Sequence, residues 1–317
     1  MNKEEYLKYY KEMVKIRCFE KKIEFFFTRN LIHGTSHLCI GQEAVAVGAC
    51  AAINENDLIG STHRGHGHAL AKGLELRKIM AELLGKETGY CKGKGGTQHI
   101  CCIEKGFLGT NGITAGGISV ATGAALSAKL RKTGQVVLSF LGDGATNQGS
   151  FHEALNFGAI WKLPIVYICE NNLYGMSSPI CKMTNVKNLA ERSISYGMPS
   201  LIVDGNDILL VKEAVMKAVD IAREGGGPTF IECKTYRQCG HSKSDQREYR
   251  TKEEEKEWEK KDPIQRFKEK ILKEGLATQE ELARVEKEVE NEIEEAAKFS
   301  MDSSLTKQEE LFTDLYQ

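Results

Sequence analysis

The chain has 317 residues, with 43 Lys and Arg against 44 Asp and Glu, a formal charge of -1, 31 glycines and only 5 prolines. At 35.3 kDa, area scaling gives a folded surface of roughly 13,000 Å² against roughly 51,000 Å² unfolded, so a sizeable core can form. Hydrophobic residues at 41% and charged residues at 27% exclude a disordered, collagenous or membrane-spanning chain. Near-zero charge removes the electrostatic case for nucleic acid or an anionic membrane as partner.

The stretch MNKEEYLKYYKEMVKIRCFEKKIEFFF mixes acids with bases and has no uninterrupted apolar run, so it is neither a signal nor a transit peptide. Ten cysteines with no Cys-x-x-Cys pair read as reduced thiols of a cytoplasmic protein. Tyr6, Tyr10, Met13, Ile16, Ile23 and Phe26 recur at helical spacing and predict a helix over 3–28. Residues 33–117 are rich in Gly and His, with helical patterns near 42–52 and 75–84. From 118 to 235, helices near 118–131, 149–161 and 207–223 alternate with apolar strands at 136–141, 165–169, 201–203 and 229–233. That alternation predicts an α/β fold with a doubly wound, mostly parallel sheet. Beyond about 250 the composition turns to Lys and Glu. Asp262-Pro263 opens a helix that Gly275 ends, and Thr278 with Glu281 makes a capping box for the next. Leu282, Val285, Val289 and Ile293 line one face of that last helix, which is expected to pack on the domain. The chain is therefore divided into an α/β domain over 1–250 and a charged helical extension of it over 251–317.

The chemistry concentrates in VVLSFLGDGATNQGSFHEALNFGAIWKLPIVYICENNLYG. One strand ends at Gly142-Asp143-Gly144, a helix follows, and a second strand ends at Asn171-Asn172, with 26 residues between Gly144 and Asn171. Parallel strands place both ends on one carboxyl edge, where doubly wound folds bind ligands. Asp143, the amide oxygen of Asn172 and the carbonyl of Tyr174 form an all-oxygen set suited to Mg²⁺ completed by phosphate oxygens and water. The flanking glycines and the next helix's amino end favour a diphosphate.

This segment matches the thiamine-diphosphate motif. The wider chain resembles the alpha subunit of the first component of 2-oxo acid and acetoin dehydrogenase complexes. The matching segments are HLCIGQEA (37–44), HRGHGHALAKG (63–73), GYCKGKGGTQHI (89–100), GTNGITAGG (109–117), the motif itself (142–175) and GHSKSDQREYR (240–250). The resemblance implies the thiamine-diphosphate-binding fold, with thiamine diphosphate and Mg²⁺ as cofactors. It maps acid–base histidines to His37 and His241, with His66 a further catalytic candidate. Cofactor contacts map to His63, Arg64, Gly112, Thr114, Gly142, Asp143, Gly144, Ala145, Asn172 and Tyr174, and metal ligands to Asp143, Asn172 and Tyr174. Many pyruvate-type relatives carry Tyr where this chain has His63, and the run His63, His66, His68 is closer to acetoin-type members.

The implied reaction is cleavage of acetoin, or decarboxylation of pyruvate, to a hydroxyethyl adduct passed to a lipoyl group on an acyltransferase component. His37 and His241 would act as general acid and base, since imidazole titrates near operating pH. The glutamate that activates the cofactor belongs, in two-chain relatives, to the beta subunit, so the chain is expected to be half of an α₂β₂ active site. The alternatives are the amino-terminal half of a split transketolase and a non-catalytic nucleotide-binding subunit. HLCIGQEA and GHSKSDQREYR stand against the first, and the lack of a Gly-x-Gly-x-x-Gly after a strand stands against the second. Zinc at His63, His66 and His68 is disfavoured because no acid or Cys lies at ligand spacing. Lys92–Gly96 lacks the phosphate-loop spacing and reads as a flexible loop near the site mouth. The segment 240–250 has Tyr249 as its one apolar anchor and reads as a lid that orders when cofactor binds.

Overall fold

The computed structural model describes residues 2–315. In chain order the elements are α1 (Lys3–Thr28), α2 (Glu43–Cys50), β1 (Leu58–Gly60), α3 (His66–Ala71), α4 (Leu76–Leu83), β2 (Phe107–Gly109), α5 (Gly116–Arg131) and β3 (Val137–Gly142). Next come α6 (Gly149–Ile160), β4 (Ile165–Asn171), the two-residue strands β5 (Tyr174–Gly175) and β6 (Ser178–Pro179), α7 (Ile180–Met183), β7 (Ser200–Asp204), α8 (Ile208–Arg223) and β8 (Thr229–Lys234). The chain closes with α9 (Lys252–Glu259), α10 (Pro263–Lys273) and α11 (Gln279–Asp302).

Six strands pair in the order β2-β1-β3-β4-β8-β7, and every ladder is parallel. Both faces are covered, as parallel sheets require. Side-chain alternation along β3 shows how. Val137 and Leu141 join a core with Ile118 and Ala121 of α5 and Phe151 and Leu155 of α6. Leu138 and Phe140 point the other way, into a core with Ile16 of α1, Val45 of α2 and Val215 of α8. From β1 the chain runs outward to β2, and from β3 it runs the other way to β4, so the order reverses between β1 and β3. Crevices at such reversals receive ligands. Gly142 pairs with Glu170, which sets Asp143 level with Asn171 at the carboxyl edge.

The predicted elements from 116 onward are present, with Asp207 capping α8, Asp262 capping α10 and the Thr278–Glu281 box opening α11. Two strands of the main sheet, and the two-residue β5 and β6, escaped the sequence pattern. β1 and β2 have three residues each, too few for an alternation to register. Leu282, Val289 and Ile293 of α11 are buried in the large core shared with α1 and α4. Lys3–Glu281 and Lys22–Glu294 pairs edge that contact. Exposed pairs of this kind add at most about 1 kcal/mol, so the apolar face fixes the helix.

The glycine-rich loop is not the slack segment expected. Glu82 of α4 is completely buried, and its carboxylate accepts N–H bonds from Cys91 (2.7 Å), Gly93 (2.9 Å), Gly95 (2.7 Å) and Gly96 (3.1 Å). The loop has the open amides of an anion cradle, and the chain fills the cradle with its own carboxylate. No helix among the described residues is long and apolar enough to cross a membrane, and all ten cysteines are free thiols.

Candidate active site

A cavity of about 350 Å³ opens at the reversal point. Ser61, Thr62, His63 and Arg64 follow β1 into its wall. Gly142 to Ala145 enter from β3, Glu170 and Asn172 from β4 and its end, Thr114, Ala115, Gly117 and Ile118 from the start of α5, and Arg237 and His241 from the segment after β8. Close packing brings α5 to the edge of β1. A Cβ on Gly117 would lie 2.7 Å from the Ser61 carbonyl, so only glycine allows that approach. Ala115 (φ 67°), Leu173 (φ 75°) and Met176 (φ 57°) adopt the left-handed region around the cavity. Such strain costs of order 1 kcal/mol or more per residue, and it gathers at functional sites.

Asp143 is 2% exposed. One carboxylate oxygen accepts the Gly144 N–H at 2.9 Å, and the other is buried with no hydrogen-bond partner. Burial pushes its pKa up to about 6, against the opposing pull of the Gly144 amide, Arg237 and Arg64. Asn172 is oriented by its Nδ2, which donates to Gln42 Oε1 at 2.8 Å, while its Oδ1 accepts from the Tyr174 N–H at 3.3 Å. The Tyr174 carbonyl receives only a long 3.5 Å contact from Arg237 Nη1. All three residues line the cavity, and oxygens of these kinds are the donors that hard divalent cations take.

Arg64 and Arg237 supply the opposite charge. Both are buried, and neither makes an ion pair with a carboxylate among the described residues. Arg64 donates to the Leu38 and His241 carbonyls at 2.8 and 2.9 Å. Arg237 donates to the Met176 carbonyl at 3.0 Å and the Tyr249 hydroxyl at 2.7 Å. Burial, then the charges of Arg64 and Arg250, push the Arg237 pKa down to about 10. The sequence reading missed Arg237. It stands three residues past β8 on the ligand-binding edge, a position the strand-end rule could have flagged.

His37, His63 and His241 meet as a cluster. Ring centroids are 4.8 Å apart for His37–His63 and His37–His241, and 5.8 Å for His63–His241. His63 and His241 line the cavity, and His37 stands against both. His63 Nε2 is buried without a partner. Arg64 Nη2 lies 3.0 Å from His241 Nδ1. A guanidinium only donates, so Nδ1 accepts and Nε2 carries the proton. The expectation that these imidazoles titrate near neutrality fails for the protein by itself. Burial and then Arg64 push His37 down to about 4 and His241 down to about 3. Both rings are neutral at pH 7.

Other expected residues fall elsewhere. His66 is not in the cluster. It is fully buried, with Nδ1 3.1 Å from Glu20 and Nε2 3.2 Å from the Thr97 carbonyl. Both ring nitrogens are engaged, and a structural role fits. His68 stacks on Phe140 at 3.8 Å and bridges Ser61 and Glu170 at 2.8 and 3.3 Å. The three histidines of 63–68 thus serve three different environments. Thr114 lines the cavity, whereas Gly112 lies just outside it. The 240–250 segment has polar anchors that counting apolar residues overlooked. Asp245 accepts from the His241 and Arg247 amides and the Tyr249 hydroxyl at 2.5, 2.9 and 2.5 Å.

Known proteins resemble this chain in sequence across nearly its whole length. It is 48% identical over 317 residues to the alpha subunit of acetoin:2,6-dichlorophenolindophenol oxidoreductase of Bacillus subtilis (strain 168), spanning all of this chain and 95% of that protein. It is 41% identical over 315 residues to the pyruvate dehydrogenase E1 component subunit alpha of Rhizobium meliloti (strain 1021), covering 99% and 90% of the two chains. The testis-specific mitochondrial form of that subunit from Rattus norvegicus is 42% identical, with 100% and 80% covered. With residues 11–309 also matching the family described as "Dehydrogenase E1 component", the chain belongs to the dehydrogenase E1 component family.

Proposed function

We propose that the chain is the alpha subunit of a thiamine-diphosphate-dependent acetoin or pyruvate dehydrogenase, and that Mg²⁺ at Asp143, Asn172 and the Tyr174 carbonyl ties the cofactor diphosphate to it. The observation that carries this reading is a double charge deficit around one cavity. Arg64 and Arg237 are buried without a carboxylate partner, and Asp143 buries an unpaired carboxylate oxygen. An uncompensated buried charge costs about 3–5 kcal/mol. An anion and a divalent cation bound together satisfy all three groups, and a magnesium diphosphate is such a pair. Gly142, Gly144 and Ala145 offer close backbone approach, and His63 Nε2 offers a further donor.

Thiamine diphosphate, when bound, supplies a carbon nucleophile that adds to a carbonyl and holds the electrons of the broken bond. The chain's own residues move protons and exclude water. His241 presents an Nε2–H to a substrate oxygen, with His37 beside it; because Nδ1 of His241 already accepts from Arg64, the neutral ring acts there as a donor. Bound phosphate charge would offset Arg64 and Arg237 and lift both imidazoles toward neutrality. Tyr249, Asp245 and Arg250 hold the His241 segment over the cavity.

A beta subunit completes the site in an α₂β₂ assembly, and a lipoyl-bearing acyltransferase receives the product in the cytoplasm. Three features support a partner. The folded surface is 15178 Å², against roughly 13,000 Å² expected for a free monomer of this mass. Ile113, Met176 and Met183 are exposed at the cavity mouth, and Val120, Phe157, Ile160 and Trp161 on the outer face of α5 and α6. Large apolar side chains exposed together in this number favour an interface. The match over 11–309 sets aside the split transketolase.

The test is turnover of the chain co-expressed with a beta partner, with thiamine diphosphate, Mg²⁺ and an artificial electron acceptor. Acetoin or pyruvate is expected to be oxidised in preference to branched 2-oxo acids or xylulose phosphate. A preference for the sugar phosphate would refute the reading.

A further inference from the structure

We infer that Gln98 is a positioning residue that holds His37 as its Nε2–H tautomer, and that the buried Glu82 carboxylate holds Gln98 in place. The inference rests on the reading of His37 as an acid–base group.

The geometry begins at the ring. Gln98 Nε2 lies 2.8 Å from His37 Nδ1. A carboxamide NH₂ only donates, so Nδ1 accepts and the proton resides on Nε2. Nε2 makes no hydrogen bond among the described residues, and His37 keeps 8% exposure. Its N–H is therefore free for an oxygen arriving at the cluster. The other end of the amide packs over Gly112, where a Cβ would stand 2.7 Å from Gln98 Oε1. Any larger residue at 112 would push the amide off the ring.

Glu82 makes this orientation durable. Its four N–H bonds gather residues 91–96 immediately before Gln98. Thr97 adds two ties to the other side, with its hydroxyl donating to the Thr35 carbonyl at 2.9 Å and its carbonyl lying 3.2 Å from His66 Nε2. The segment carrying Gln98 is thus fastened to α4, to α3 and to the strand of chain that leads into His37. A buried carboxylate with no part in the chemistry, and a glycine-rich loop with no phosphate, find one purpose here.

Tautomer matters more than charge at this ring. The charged or titratable groups around His37 are Arg64, His66, Arg237, His63 and His241. None is an acid, and burial with the Arg64 charge keeps the imidazole neutral in the chain by itself. A neutral ring protonated on Nδ1 would point a lone pair at a substrate oxygen and repel it. The Nε2–H form donates to the same oxygen.

The experiment uses the full chain with ¹⁵N-labelled histidine, for NMR, and the same preparations reconstituted with the beta partner, for turnover. The His37 signal is assigned by its loss in His37→Gln. The wild type should show the Nε2–H pattern. Gln98→Leu should mix the tautomers and lower kcat at least about tenfold, the scale of losing a group that orients an active imidazole, with thiamine diphosphate affinity unchanged. Gln98→Glu, which can only accept, should convert His37 to the Nδ1–H form. A wild-type Nδ1–H pattern, or a tautomer indifferent to both substitutions, would overturn the inference while leaving the function standing. Full turnover in His37→Gln would instead remove the acid–base reading on which the inference rests.

Discussion

Purified alone and given thiamine diphosphate and Mg²⁺, the chain should show no oxidation of acetoin, pyruvate or any other carbonyl substrate above background. The cavity contains two carboxylates, Asp143 and Glu170. Asp143 is committed to the metal in our account, and Glu170 is held by His68 at 3.3 Å. No acid is left to activate the cofactor's pyrimidine. Among the described residues the six parallel strands form one sheet and β5 and β6 only a two-residue pair, so no second diphosphate-binding sheet stands beside it. Steady-state assays with a dye acceptor measure this directly. Addition of the beta subunit should bring turnover from undetectable to ordinary enzymatic rates, and sustained turnover by the isolated chain would contradict the half-site account.

Replacing His241 by alanine in the assembled enzyme should lower kcat by roughly 10²- to 10⁴-fold, the range for loss of a general acid–base group. Cofactor affinity should change little. Arg64 loses its 3.0 Å contact with the ring but keeps its 2.9 Å bond to residue 241, because that bond goes to the backbone carbonyl. Parallel calorimetry and kinetics separate the two effects. A loss of affinity equal to the loss of rate would make His241 a binding residue only.

How much of this was legible in the sequence varies by residue. The spacing of Asp143 and Asn172 was enough, because parallel register converts sequence distance into a shared edge. The caps at Asp207, Asp262 and Thr278 were equally readable, since capping is local. β1 and β2 were not, because three-residue strands hold no periodicity. His66 was grouped with its neighbours by type, yet Glu20, 46 positions earlier, claims its ring. Glycines 93, 95 and 96 read as a flexible loop, and nothing local revealed that their amides close on Glu82. The depressed pKa values of His37 and His241 come from burial and from two arginines, Arg64 and Arg237, remote from His37 in sequence. Composition and spacing carry no information on either.

The central claim is that a divalent cation held by Asp143 links the cofactor diphosphate to this chain. Titration calorimetry of thiamine diphosphate into the wild-type chain and into Asp143→Ala, each with Mg²⁺ and with EDTA, tests it most directly. The account predicts binding to the wild type that requires Mg²⁺ and falls at least about tenfold in the variant, the scale of a lost metal ligand. Equal affinity in EDTA, or an unchanged affinity in Asp143→Ala, would contradict it.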